Sequence, residues 1–279
     1  MEKKIAVFTE KAYVSLFVDL FSRFGKKYGH DFSLVFPTVF SSPEVGTCDG
    51  ALLFFPQENA PDGLGELVRE KNLFARVREI RQKDSEYVLV DNAFGGIYDE
   101  EKGFRKGALG REAYDVERCS EIETERLARV AFEHCERLGC PLYSLDLSDR
   151  LYVSRLWRRA VHDVGSDYEN VPLYDEYVTD YVGKLPSSER ENVLVSTALF
   201  CDAVFSAIIS HGGRNATASY VNDGVFGIFG ATEPTALPYS LRALFCAIGL
   251  TKESEEWKNA LREVGEGDSL QTILSTLLR

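Results

Sequence analysis

The feature that most constrains this chain is an alternation, kept up along most of its length, of short apolar runs with helix-period patterns. Ile5–Phe8, Ala51–Pro56, Tyr87–Val90, Leu142–Leu147, Val193–Ser196 and Val225–Phe229 are short and dominated by aliphatic and aromatic residues. They read as strands, several of them buried on both faces. Between them lie amphipathic helices. The clearest opens at Ser120-Glu121-Ile122-Glu123, a capping box. Leu127, Val130, Ala131, Cys135 and Leu138 then line one face, and Gly139 supplies the stop. A second helix carries Val153, Leu156, Trp157, Ala160, Val161 and Val164 on one stripe, with Arg155, Arg158 and Arg159 outside it. Strands alternating with helices specify α/β architecture. With 279 residues, 44% of them hydrophobic, there is enough apolar material for one large domain or two lobes. A disordered tail, a collagen-like repeat and a disulfide-stapled miniprotein are excluded.

Charge and cysteine usage narrow the partners. Thirty-two Lys and Arg against 44 Asp and Glu give a net charge of −12. Such a surface repels phosphate backbones, so no nucleic-acid partner is expected. The six cysteines, Cys48, Cys119, Cys135, Cys140, Cys201 and Cys246, form no CxxC pair. They read as buried free thiols in a reducing compartment. The opening Met-Glu-Lys-Lys-Ile-Ala-Val-Phe lacks the apolar core of a signal peptide, and no run of 18 uncharged apolar residues occurs. The expectation is a cytoplasmic protein with no membrane partner.

Few residues stand out for chemistry on their own. Asp202 is the one carboxylate in the apolar stretch Ser196–Ser210, with Ser206 a turn later. A carboxylate buried there needs a metal, a raised pKa, or a bond to an arginine or to backbone amides. Phe94-Gly95-Gly96-Ile97-Tyr98 puts two glycines at a strand end, where a sharp turn lets a ligand approach; Tyr98 is either a proton donor or a packing residue. Gly224, Gly227 and Gly230 are spaced GxxGxxG, which is not the dinucleotide fingerprint. His30, His134, His162 and His211 are scattered, and no zinc site is expected. The segment 99–119 is polar and aperiodic, either a flexible loop or an arm that packs elsewhere.

In serial order, several segments resemble the isopropylmalate/isocitrate dehydrogenase family, the β-decarboxylating dehydrogenases. Leu73-Phe74-Ala75-Arg76-Val77-Arg78 resembles its L-F-A-N-L-R-P, and Val90 through Tyr98 its V-R-E-x-T-G-G-I-Y. Cys119 through Glu133 is similar to Y-S-x-x-E-V-E-R-V-A-R-V-A-F-E. Leu145-Asp146 with Ser154-Arg155-Leu156-Trp157-Arg158 resembles the ends of V-D-K-A-N-V-L-E-S-S-R-L-W-R, and Val193–Asp202 resembles F-D-V-I-V-T-G-N-L-F-G-D. The resemblance spans roughly residues 64–250. It implies an α/β, two-lobed isopropylmalate/isocitrate dehydrogenase-like fold, trimmed in the first lobe. Residues 1–75 together with 214–279 would form that lobe. Residues 76–213 would form the second, with dimerisation helices and a clasp arm at 99–119. The family opening G-D-G-I-G-P-E is replaced by Thr9-Glu10-Lys11-Ala12.

The resemblance implies oxidation of a 2-hydroxy acid by NAD or NADP, followed by decarboxylation with Mg²⁺ or Mn²⁺. Tyr98 matches the family's catalytic tyrosine, Arg78 a substrate arginine and Asp202 a metal carboxylate. The remaining positions depart. Leu147 replaces the proton-transferring lysine and Asp149 the asparagine of V-D-K-A-N. Thr179 stands at a metal aspartate, with Asp180 adjacent, and Ser206 replaces the last one. Asp91 occupies a substrate-arginine position, and Val68 another, with Arg69 beside it. The adenosine-binding segment H-G-S-A-P-D-I-A-G-K is lost, leaving Gly230 and Glu233 as positions for cofactor contact. Losing a positioned acid/base costs about 10²–10⁴-fold in rate. Two missing carboxylates remove most of the charge that holds Mg²⁺. Asp91 turns attraction for a substrate carboxylate into repulsion.

Two functions follow as expectations. One is a pseudoenzyme, a binding or regulatory subunit without cofactors. The other is an enzyme of altered chemistry on a small hydroxy acid or related metabolite, still an NAD(P)-dependent oxidoreductase. The expected partner is a second copy, giving a homodimer, or an intact dehydrogenase in a hetero-oligomer, with an unidentified small-molecule ligand. A pocket holding Arg78, Tyr98 and Asp202 is expected, made acidic by Asp91 and Asp149. The helix Thr197–Ser210, apolar round most of its circumference, is expected to be buried on all sides, within its lobe or against a partner.

Overall fold

The computed structural model describes residues 2–56, 62–82, 85–185, 192–214, 216–222, 224, 226–231, 233–262, 264 and 268–278. The first strands and helices are β1 (Glu2–Thr9), α1 (Val14–Tyr28), β2 (Asp31–Val35), β3 (Gly50–Phe54), α2 (Leu64–Glu70), β4 (Ala75–Gln82), β5 (Ser85–Asn92) and α3 (Gly96–Asp99). There follow β6 (Lys102–Gly107), β7 (Gly110–Asp115), α4 (Glu121–Leu138), β8 (Leu142–Asp146), α5 (Tyr152–Gly165), β9 (Leu173–Tyr177), α6 (Val178–Lys184), β10 (Asn192–Val195) and α7 (Ala198–Ser210). The chain closes with β11 (Thr217–Val221), β12 (Ile228–Ala231), α8 (Leu237–Ala247), α9 (Thr251–Leu261) and α10 (Leu270–Leu277). Contacts divide it into two compact units, Met1–Leu73 with Asn215–Arg279, and Phe74–Arg214. The architecture is mixed α/β, as the alternation predicts.

In the first unit the strands run in the order β2-β1-β3-β12-β11. β1 pairs in parallel with β2 and β3, β3 pairs in parallel with β12, and β11 closes the set antiparallel. Ile5, Ala6, Val7 and Phe8 are all fully buried, which is why the run has no polar alternation. On α1, Phe17, Leu20, Phe21 and Phe24 repeat at helical spacing and turn inward. Phe24 stacks on Phe245 of α8 at 4.1 Å between ring centroids, and Trp257 of α9 meets both rings edge-on.

In the second unit the order is β4-β5-β10-β8-β9. β4 and β5 are antiparallel; the remaining pairings are parallel. α4 and α5 cover one face, with Trp157 donating to Ser144 Oγ at 3.2 Å, and α6 and α7 contribute to the other. Ser120 caps α4 as its sequence requires: its hydroxyl oxygen accepts from the Glu123 amide at 3.3 Å.

One expectation needs correction, and the structure narrows two others. The run Val225–Phe229 pairs only from Ile228, through to Ala231; residue 225 lies outside the described residues, and Phe226-Gly227 precedes the ladder. Glycine weakens a strand, which displaces its start. The segment 99–119 is neither a loose loop nor aperiodic in structure. It holds the antiparallel hairpin β6–β7, turned at Ala108-Leu109, with Phe104 and Leu109 exposed. α7 is not buried on all sides in its own unit. Ala198, Cys201, Val204 and Ile208 face inward, while Leu199 and Ile209 remain 37% and 38% exposed. Among the described residues no helix is long and apolar enough to cross a membrane.

Candidate functional site: an arginine–aspartate quartet

Strand pairing builds the site. In the antiparallel ladder Arg76 stands opposite Asp91 and Arg78 opposite Leu89. Side chains alternate with period two, so Arg76, Arg78 and Asp91 project from the same face. α7, packed against β5, brings Asp202 over that face. Four charge-assisted hydrogen bonds then close a ring. Arg76 donates from Nε to Asp91 Oδ1 at 2.7 Å and from Nη2 to Asp202 Oδ1 at 2.8 Å. Arg78 donates from Nη2 to Asp91 Oδ2 at 2.6 Å and from Nη1 to Asp202 Oδ1 at 2.7 Å. Asp91 is fully buried, the Arg78 side chain is 8% exposed, and Asp202 is the open corner at 34%. The Phe205 ring lies 4.8 Å beneath the Arg78 guanidinium.

The turn after β5 fixes the approach of α7 and Tyr98. Gly95 and Gly96 have φ of 86° and 61°, the left-handed region that glycine enters without penalty. Asn92 ties this turn to α7, donating to Phe94 O at 3.2 Å and accepting from the Ala198 amide at 3.0 Å. Tyr98, on the short α3, hydrogen-bonds the Asp202 carboxylate and keeps 47% of its surface exposed.

Burial pushes the Asp91 carboxyl above its ordinary value, a cost that Arg78 and Arg76 oppose. At Asp202 burial also disfavours the charge, but Arg76 and Arg78 outweigh it and hold the carboxyl below the usual range. Tyr98 is raised by burial and by its bond to Asp202, so it holds its proton at neutral pH. A depressed folded-state pKa contributes stability above the unfolded value of about 3.9, lost as pH falls through the folded one. Asp202→Asn is therefore expected to lower stability at pH 7 and to lose that deficit below about pH 4. Urea unfolding of both proteins across that range checks it.

The quartet corrects the expectation of an acidic pocket. Asp91 is neutralised by two guanidiniums, and two positive and two negative groups sum to no net charge. Asp149 is an exposed residue bonded to Arg150 at 3.2 Å, outside the ring. Of the residues singled out from sequence, the fold brings together Arg78, Asp91, Tyr98 and Asp202. Leu147 sits at the end of β8, its amide bonded to Ser154 Oγ. Thr179 and Asp180 are exposed at the start of α6 and meet one another at 3.5 Å. Ser206 bonds back to the Asp202 carbonyl at 2.9 Å, a helix-internal contact. These bonds reach no side-chain atom of the quartet. Arg69, on α2, and Gly230 and Glu233, around β12, belong to the first unit. Gly230 O accepts from Ser240, and an added Cβ would come within 3.2 Å of Ala218 O, so packing accounts for that glycine.

Arg76 is a candidate-site residue that the motif comparison passes over. It stands where the motif L-F-A-N-L-R has asparagine, and its ladder partner Asp91 stands where that family has arginine. The two departures compensate, and that was the available signal. Asp202 Oδ1 is taken by two guanidiniums, and among the described residues no group of three His, Cys, Asp or Glu is placed to share a metal.

Comparison with known proteins agrees with the motifs. The family model for isocitrate/isopropylmalate dehydrogenase matches residues 59–233. The 3-isopropylmalate dehydrogenase of Novosphingobium aromaticivorans is 35% identical over 153 residues, 53% of this chain and 44% of that one. That of Chlorobium chlorochromatii is 30% identical over 171 residues, 53% and 46%. The aligned region thus spans less than half the length of these curated relatives. Among solved structures, an isocitrate dehydrogenase from Methylococcus capsulatus superposes with a TM-score of 0.76 at 18% identity, covering 99% of this chain and 100% of that one. A β-decarboxylating dehydrogenase from Thermococcus kodakarensis gives 0.75 at 17%, covering 99% and 95%. The fold, the serial motifs and the family match together make this chain a member of the isocitrate/isopropylmalate dehydrogenase family.

Proposed function

We propose that this chain is a family member without metal-dependent oxidative decarboxylation, acting as a homodimeric binding or regulatory subunit. The observation that carries this reading is the closed quartet. Both Asp91 oxygens and Asp202 Oδ1 accept from guanidiniums within the ring, so Arg78 is tied to protein carboxylates and Asp202 to protein cations. A substrate carboxylate or a divalent ion has to break charge-assisted bonds, each worth about 1.5–3 kcal/mol, before it makes its own. Leu147 offers no proton-transferring group, and Tyr98 stays protonated. The open face of Asp202 and Tyr98 is what remains for a small ligand. The exposed apolar residues Leu199 and Ile209 on α7, and Phe104 and Leu109 on the hairpin, support a second copy as partner.

The test is turnover by the full chain with isopropylmalate, isocitrate, malate and tartrate, each with NAD or NADP and Mg²⁺ or Mn²⁺. The expected result is no nicotinamide reduction above the metal-free control, and none after Leu147→Lys alone. Metal-dependent turnover on any of these substrates overturns the reading in favour of altered but surviving oxidoreductase chemistry.

A further inference from the structure

α4 ends in a turn that sets two cysteines against each other. Gly139, at φ 69°, takes the left-handed position, and the Cys140 amide closes a 6→1 bond to Cys135 O at 3.2 Å. In this C-cap the residue one beyond the glycine folds back onto the residue four before it, where an apolar contact usually forms. Here both positions are cysteine. A disulfide needs α-carbons roughly 4.4–6.8 Å apart, and the 6→1 bond holds the two backbones together, Cys140 N to Cys135 O at 3.2 Å. Cys135 is fully buried, whereas Cys140 is half-buried.

We propose that Cys135 and Cys140 are an oxidisable pair, converted by a peroxide into a disulfide that staples the α4 C-terminus to the segment leading into β8. The exposure difference sets the order of events. The Cys140 thiolate attacks one oxygen of hydrogen peroxide; the O–O bond breaks, leaving a sulfenic acid on Cys140 and hydroxide, which is protonated to water. The Cys135 sulfur then displaces hydroxide from that sulfenic sulfur. The S–S bond forms, and the Cys135 proton leaves with the hydroxide as a second water. The balance is two thiols and one peroxide giving one disulfide and two waters, two electrons passing from sulfur to oxygen. The Cys140 thiol beside it and burial push the Cys135 thiol up, so Cys135 is not the sulfur that meets the oxidant; it reacts only once Cys140 is a sulfenic acid held against it, its proton passing to the departing hydroxide.

The experiment treats the reduced full chain with hydrogen peroxide, blocks remaining thiols, and digests without reductant. Trypsin cuts after Arg137, so the cysteines fall on separate peptides, 130–137 and 138–150. The expected result is a loss of about 2 Da from the intact chain and a cross-linked 130–137/138–150 pair that dithiothreitol separates. Cys140→Ser and Cys135→Ala should each abolish the pair, and Cys201→Ser should leave it. The wild-type peptide map decides the matter even if Cys135→Ala fails to fold. Oxidation of Cys140 to sulfinic acid with Cys135 recovered as a blocked thiol, or pairing of either with another cysteine, overturns the proposal.

Discussion

Asp91→Ala is expected to cost about 3–5 kcal/mol of unfolding free energy in the second unit, the range for removing one partner from a buried ion pair. Asp91 is fully buried and both of its oxygens accept from guanidiniums. Without it, Arg78 keeps its charge inside the unit, loses its Nη2 partner, and already lacks a partner for the buried Nε. Only the bond to half-open Asp202 remains. Asp202→Ala should cost clearly less, because its corner is hydrated and Asp91 still neutralises the pair. The double change Asp91→Leu with Arg78→Met removes charge and counter-charge together and should recover most of the loss. The two tryptophans make the measurement specific, Trp157 lying in the second unit and Trp257 in the first. In a Trp257→Phe background, urea unfolding followed by Trp157 fluorescence reads the second unit alone. A loss under about 1 kcal/mol would mean the guanidiniums are hydrated, and would remove the closed quartet as an argument about function.

What the sequence made legible was local. Ser120 and Glu123 announce the start of α4 because a capping box is a contact between residues three apart. The aliphatic run at Ile5–Phe8 announces a doubly buried strand for the same reason. The quartet was only half legible. Asp202 carried the reading of a carboxylate bonded to arginine, but the partners lie 126 and 124 positions away and depend on the β4–β5 register. Reading Asp91 alone as a repulsive charge failed because burial and pairing, not residue type, set the local field. The strand β4 was missed as well. Its alternation of Arg76, Arg78 and Ile80 with Val77, Glu79 and Arg81 hides a buried face under charged residues. The motif series identified the family where propensity did not identify the strand.

α7 shows the other limit, and it supplies the second large effect. A helix rich in apolar residues on all sides says that it is covered, not by what. Ile208 is fully buried within its own unit, so Ile208→Asp is expected to unfold that unit whether or not the protein dimerises. Ile209, its neighbour, points outward and is 38% exposed. Ile209→Asp leaves the charge in water in the single chain and buries it only if a second copy covers α7. On the homodimer reading, wild-type protein should scatter light as twice the 31.3 kDa chain at micromolar concentration. Ile209→Asp should then scatter as one chain while keeping the wild-type circular dichroism. An unpaired charge trapped in an interface costs several kcal/mol, and each 1.4 kcal/mol is tenfold in affinity, so dissociation should strengthen by at least ~10²-fold. Leu109→Asp at the hairpin tip should act the same way if the arm joins that interface, and should change nothing if it does not. A wild-type mass of one chain would reject the dimer and leave the exposed face of α7 as ordinary surface, since a stable interface hides on the order of 1,000 Å² or more that this chain would then keep in contact with water.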